Sequence, residues 1–384
     1  MKKIVQHLVI LGGMGSAVVA APFLAIGDNA ELFATATTSV SYNDNILLSS
    51  DGAEKEDTLF VVTPGFDLKY GKDSAVKGDL FANSTLSSYA DNVKLNNQLF
   101  ATGATAAYEG ERLKLKGNLS FAELDQPTAD NAAAIANQGT LLEHHDTAAG
   151  INGELRTSEK ISFGSGVTYT SNDYKSSSAV ETKAYSVPVN VYYELTPKVD
   201  VSTGLTYTHT ELSGSIGAGN ADLFDAFYYN VGSRGTFTPK LSGSFNVGYN
   251  TRNGNIGEDE DGSLGSKASL AYAYSDKTQL TAEVNRDFAN STRGGSSYET
   301  TDLSLGASSA ITVDWRLSAG LTYRMMEYTN DTRNYIEATL GATYTINEYL
   351  NAGISYVNRS QSSDLGAANE FANNVVSVSL SARY

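Results

Sequence analysis

From Leu32 onward the chain alternates apolar and polar residues with a period of two, in segments of about 12 to 14 residues separated by turn-forming clusters. Successive side chains of an extended chain point to opposite sides, so each segment reads as a strand with one apolar and one polar face. The clearest runs from Trp315 to Glu327. Trp315, Leu317, Ala319, Leu321 and Tyr323 share one face of it; Arg316, Ser318, Gly320, Thr322 and Arg324 share the other. The apolar row recurs at Ile161, Phe163, Val167 and Tyr169, at Val199, Val201, Leu205 and Tyr207, and at Leu241, Phe245, Val247 and Tyr249. Leu350, Ala352, Ile354 and Tyr356 repeat it once more.

Applied to the whole chain, the pattern predicts strands near 32–43, 58–70, 75–88, 95–108, 112–123, 142–155, 160–173, 180–194 and 198–211. Further strands are predicted near 223–237, 240–252, 263–274, 277–289, 297–309, 314–327, 333–345, 349–360 and 371–384. The count is about 18, with 16 as the alternative. Tight turns are expected at 70–74, 109–112, 157–159, 195–198, 238–240, 274–277, 311–313 and 346–348. Between them lie longer polar segments, among them Asp44 to Asp57, Asp125 to Gly139, Leu212 to Ala221, Arg252 to Gly262 and Gln361 to Asn369. Short turns at one end and long loops at the other describe an all-β, up-and-down antiparallel meander of the transmembrane barrel type. About 65 % strand is far above the share found in soluble globular domains.

Lipid exposure explains a further regularity. In four strands a Tyr stands eight positions after the first apolar residue: 161 to 169, 199 to 207, 241 to 249 and 315 to 323. Eight tilted residues rise roughly 20 Å, close to the height of a barrel's apolar band, which puts these rings at one rim. Trp315 and Tyr384 would belong to the opposite rim. The other face is mainly Ser, Thr, Gly and Asn with scattered charge, which a dry core would not tolerate and a water-filled lumen does. Lys114, Lys116, Asp200, Glu283, Asp287, Arg316, Arg324 and Arg359 are the candidate channel-lining residues.

The N-terminus is different in kind. Met1, Lys2 and Lys3 precede an apolar stretch from Leu8 to about Leu24, with small residues at Ala20, Ala21 and Ala25, which is the pattern of a secretory signal. The expected organisation is a signal peptide over 1–25 and one barrel domain over 26–384. Beyond it no window holds the roughly 20 apolar residues of a transmembrane helix. The 384 residues include no Cys, which suits a periplasmic route and excludes disulfide and Cys-metal frameworks. A formal net charge of −16 argues against a nucleic-acid partner.

Sites for chemistry are sparse. His144 and His145 lie beside Glu143 and Asp146, but adjacent strand residues face opposite ways and cannot chelate together, so a polar strand end is expected. His209 shares a face with Tyr207 and Glu211, and no spacing supports a Ser-His-carboxylate set. The run Glu258 to Asp261 lacks the ligands of a calcium loop, and Gly214 to Gly219 is no phosphate cradle. No enzyme activity, metal or cofactor is expected. The segment 125–139 has a helical signature, with Thr128 or Asp130 as cap, Ala132 to Ala136 and a closing Gly139. Such a short helix needs a surface: it is expected to fold inward on the lumen wall and narrow the pore, with an external helix resting on neighbouring loops as the alternative.

The last strand, Val376, Val378, Leu380 and Ala382 alternating with Ser377, Ser379, Ser381 and Arg383 and ending on Tyr384, resembles the assembly signal of bacterial outer-membrane barrels. Near the start, Tyr42-Asn43-Asp44-Asn45-Ile46 followed by Pro64-Gly65 resembles the opening of an outer-membrane β-barrel porin family often found with exopolysaccharide-synthesis operons. That resemblance implies the outer membrane as location and no catalytic residues. It implies lipid and lipopolysaccharide as surroundings, and barrel-assembly machinery acting through the strand ending at Tyr384. Passive passage of small hydrophilic solutes is the first expectation. A part in polysaccharide export, with periplasmic export proteins, is the alternative, and a loop-plugged structural or adhesive barrel is a third. From the residues alone, Asp44 and Asn45 are expected to cap a turn, and Pro64 to mark a bulge or a seam.

Overall fold

The structure, a computed structural model, describes residues 21–72, 74–126, 141–175, 179–214, 222–254, 261–290 and 297–384. Among them one short strand precedes eighteen long ones. The first are β1 (Leu24–Ile26), β2 (Ala30–Asn43), β3 (Asp57–Tyr70), β4 (Val76–Tyr89), β5 (Asn97–Glu109) and β6 (Leu113–Gln126). They are followed by β7 (Leu142–Arg156), β8 (Ile161–Tyr174), β9 (Val180–Thr196), β10 (Val199–Gly214), β11 (Asp222–Thr238) and β12 (Leu241–Gly254). The chain ends with β13 (Asp261–Ala273), β14 (Thr278–Asn290), β15 (Ser297–Ala310), β16 (Trp315–Tyr328), β17 (Asp331–Thr345), β18 (Leu350–Ser363) and β19 (Phe371–Arg383).

Each long strand pairs antiparallel with its neighbours in sequence, and β19 returns to β2 from Val375↔Asn43 to Arg383↔Thr35. The result is a closed 18-stranded barrel, which leaves no open edge. Closure is staggered, so β19 stops with Tyr384 exchanging backbone hydrogen bonds with Ala34 at 2.7 and 2.9 Å. The remaining edge of β2 is taken by β1, in the register Leu24↔Leu32 to Ile26↔Ala30. Gly27, at φ +62°, makes the turn back, and the Phe23 ring meets Tyr384 edge-on at 6.3 Å. Leu24 and Ala25, placed at the end of the leader by the sequence pattern, are thus strand residues here.

The parity expected from sequence holds around the wall. Apolar side chains of the outward row are half exposed, as at Phe60 (50 %), Leu340 (58 %) and Val378 (56 %). Rows of that kind on every strand require a hydrocarbon environment. Aromatic rings mark its two rims. Tyr169 packs on Tyr185 at 4.9 Å and Tyr207 on Phe227 at 5.2 Å at one; Trp315 packs on Tyr344 at 5.0 Å and Tyr349 on Tyr384 at 5.4 Å at the other.

Three details differ from the sequence reading. Pro64 makes neither a bulge nor the seam: β3 and β4 keep one register from Val62↔Leu86 to Gly65↔Asn83, and only the ladder between those pairs is interrupted, as a missing N–H requires. The connection between β16 and β17, at the end with the longer loops, is only Thr329 and Asn330. β6 extends through Asp125 and Gln126, where a loop was expected; the helical segment predicted beyond it and the acidic Glu258 to Glu260 lie outside the described residues.

Candidate functional site

The lumen wall is the face opposite the apolar rows, and strand parity decides which side chains join it. Lys114 and Lys116 stand there on β6, both exposed. Asp200 stands there on β10, Glu283 and Asp287 on β14, Arg316 and Arg324 on β16, and Arg359 on β18. These residues are not one cluster, and most are held by a partner on another strand.

The densest group spans β15 to β18. Arg324 is the cross-strand partner of Asp302 and donates to it from Nε at 2.6 Å. Arg359 is the cross-strand partner of Glu337 and donates to its Oε2 at 2.9 Å, and the Tyr335 hydroxyl donates to the same oxygen at 2.7 Å. Because Arg324 faces Tyr335 across β16 and β17, the row runs on without a break from Asp302 to Arg359. Arg316, lower on β16, reaches the Ser308 hydroxyl at 3.4 Å. On β14, Asp287 accepts from Lys267 at 2.8 Å and from the Asn250 amide at 3.2 Å.

A second group bridges strands that are not neighbours. Arg234 on β11 donates to Asp200 at 3.0 Å and, through both terminal nitrogens, to the two Glu154 oxygens at 2.8 Å. Glu154 belongs to β7, so this fork spans the inner surface of β8, β9 and β10. The guanidinium lies 3.5 Å from the centre of the Tyr192 ring. The fit is close because Gly164 leaves space for the Tyr192 ring; a Cβ there would meet it at 2.9 Å. Two-point pairing of this kind fixes orientation as well as charge.

At the mouth the packing becomes dry. Asp57, the first residue of β3, is buried and accepts from the backbone N–H groups of Thr58, Ala90, Asp91 and Asn92 and from the Asn92 side chain, at 2.7–3.1 Å. One carboxylate thereby shapes the connection from β4 to β5. Ile46, Leu47 and Tyr89 form an apolar cluster nearby, with Leu59, Leu95 and Leu141 against it.

The histidines behave as polar strand ends. His144 faces inward, stacked on Tyr174 at 4.8 Å, whereas His145 faces outward with Nε2 3.9 Å from Glu123. His209 is outward too, 2.9 Å from Asp225 and 3.6 Å from Glu211. Among the described residues no group of three or more His, Asp or Glu is arranged to hold a metal. Asp302, Glu337, Tyr335, Glu154 and Arg234 were not singled out in the sequence. Each lies on a polar face; Asp302, Glu337 and Arg234 meet a candidate on the next strand, and of these contacts only Glu154–Arg234 joins strands that are not neighbours.

A closed barrel with an apolar outer band, two aromatic rims and a polar, ion-paired lumen defines an outer-membrane barrel of the porin type. The family described as "Putative beta-barrel porin 2" matches residues 31–384, and the chain belongs to it. No curated protein matches the chain. Among solved structures it is similar to the outer membrane protein OpdK from Pseudomonas aeruginosa, with 10 % identity over 92 % of this chain and 99 % of that one and a TM-score of 0.46. OccK2 (OpdF) of the same organism gives 12 % identity, 92 % and 97 % coverage and a TM-score of 0.48. The ferric-catecholate import receptor Fiu from E. coli K12 gives 10 % identity, 94 % and 82 % coverage and a TM-score of 0.48.

Proposed function

We propose that the protein is a channel of the outer membrane through which small hydrophilic solutes pass passively. The observation that carries this reading is the closed 18-stranded wall whose inward face is polar and charged. Barrels of about 16 to 18 strands enclose a lumen too wide for wall side chains to fill, so water occupies what remains. Lys114, Lys116, Asp200, Glu283, Asp287, Arg316, Arg324 and Arg359 then border the solute path, and their paired partners let both signs of charge line it. The apolar rows lie against lipid and lipopolysaccharide, with the longer loops outside the cell and the tight turns in the periplasm. The strand ending at Tyr384 is offered to the barrel-assembly machinery. The leader is removed at Ala20 or Ala21, upstream of Phe23, so that β1 stays with the barrel.

Swelling of proteoliposomes tests the reading. Vesicles carrying the refolded protein should swell in iso-osmotic small sugars and amino acids, more slowly as solute mass rises, while vesicles without it stay unchanged. A folded barrel that admits none of them contradicts it.

A further inference from the structure

The segment from Asp44 to Glu56, between β2 and β3, is not a free external loop. Asn45 is fully buried and holds a tight turn inside the mouth. Its side-chain oxygen accepts from the Ser49 N–H at 2.8 Å, while its amide donates to the Ser49 carbonyl at 2.8 Å and to the Ala372 carbonyl on β19 at 3.0 Å. Within this turn Leu48 has φ +50°, the one left-handed residue other than glycine among the described residues. A leucine adopts that conformation only where its surroundings impose it. The imposition is visible on both sides. Ile46 and Leu47 are pressed against Leu59 and Tyr89, which share the inward faces of β3 and β4, and Leu95 and Leu141 close over the same cluster.

The seam of the barrel grips the other side. Asn373, fully buried on β19, donates from its amide to Asn43 at 2.6 Å and to the Asn45 carbonyl at 3.2 Å. The Asp44 carboxylate accepts from the backbone N–H of Asn374 at 2.6 Å and from its side chain at 2.7 Å. Asn373 is also the cross-strand partner of Arg359, so the grip adjoins the row of charged residues that begins at Asp302. The segment therefore leaves the seam and leans inward over β3 and β4 as far as Leu141, just before β7.

We infer that the Asp44–Glu56 segment is the constriction of the pore, seated by the Ile46 and Leu47 side chains and latched at the seam by Asn43, Asp44, Asn45, Asn373 and Asn374. It sets the size of solute admitted. This rests on the channel reading given above and adds where the channel is narrowest. The motif beginning at Tyr42 thereby acquires a role: its asparagines and aspartate aim the chain into the lumen, and its isoleucine anchors it there.

The test compares single-channel conductance of the refolded parent with two variants, one carrying Ile46→Ser and Leu47→Ser, the other with residues 46–54 replaced by a short Gly-Ser turn. Heat-modifiable gel mobility reports folding of each. Folded variants should conduct about twofold or more above the parent, as expected when an obstruction leaves a barrel of this width. A silent parent with conducting variants also supports the constriction, in the form of a complete plug, and removes passive passage through the resting protein. Conductance equal to a conducting parent overturns the constriction and leaves the channel reading intact. Silence of parent and variants overturns both. Loss of the barrel in the shortened variant would mean that the segment is a staple of the seam, and would overturn the constriction as well.

Discussion

The mouth above β2 to β4 and the wall from β15 to β18 are made from the same alternating strands, yet one is dry and the other wet. At the mouth Asn45 and Asn373 are fully buried and Ile46 and Leu47 nearly so, and hydrogen bonds satisfy most of the polar groups between them. On the wall, Arg324 and Arg359 keep about a third of their side chains exposed, although Asp302 and Glu337, the carboxylates they pair with, are themselves largely buried. The difference lies in the connections. β2 and β3 are joined by a segment long enough to fold back, whereas β16 and β17 are joined by Thr329 and Asn330 alone. In a barrel the wall carries only parity, and connecting segments decide which part of it is solvated.

That contrast can be broken at several points, and the largest effect should come from the outer face of the wet wall. Leu321→Arg places a charge in hydrocarbon and should cost about 2–4 kcal/mol in urea unfolding from lipid, whereas Thr322→Arg, one residue on, should cost far less. Equal costs would mean that the two faces are assigned the wrong way round. At the mouth, Asn373→Ala removes donations to Asn43 and to the Asn45 carbonyl and should cost about 1–3 kcal/mol, by the same unfolding measurement. On the lumen side of the wall, Arg324→Ala takes the charged partner from Asp302, whose side chain is buried, and should cost about 1–3 kcal/mol by the same measurement. A folded variant should also show a shift of reversal potential toward cations, since Asp302 is left without its guanidinium. The smallest effect is at the N-terminus. Sequencing of the protein purified from outer membranes should begin at Ala21 or Pro22, and a first residue of Ile26 or later would mean that β1 is dispensable for closing β2.

Strand positions were legible in the sequence because period-2 alternation is a local property, and every predicted strand has its counterpart within a few residues. The face each residue takes was legible for the same reason, since parity along β16 puts Arg316 and Arg324 on the face opposite Leu317 and Leu321 without knowledge of any neighbour. Contacts between strands distant in the chain were not. Asn373 and Asn43 are 330 residues apart, and Arg234 and Glu154 are 80 apart on strands that never pair. Such contacts depend on closure stagger and on how far a long side chain reaches across a concave wall. The sequence pattern makes Asp44 and Asn45 a turn cap, and Asn45 is one. The second half of its role, the grip on β19, appears only once the last strand has come round to meet the first.

The central claim is that adjacent residues of one strand face lipid and water by turns. It is tested most directly by scanning β16 with single cysteines, which the Cys-free chain allows without background. In native membranes a small, charged, water-soluble thiol reagent should modify Ser318→Cys, Gly320→Cys and Thr322→Cys and leave Leu317→Cys, Ala319→Cys and Leu321→Cys unmodified. Labelling without that alternation, or no labelling at any of the six positions, would contradict a water-filled lumen bounded by this strand.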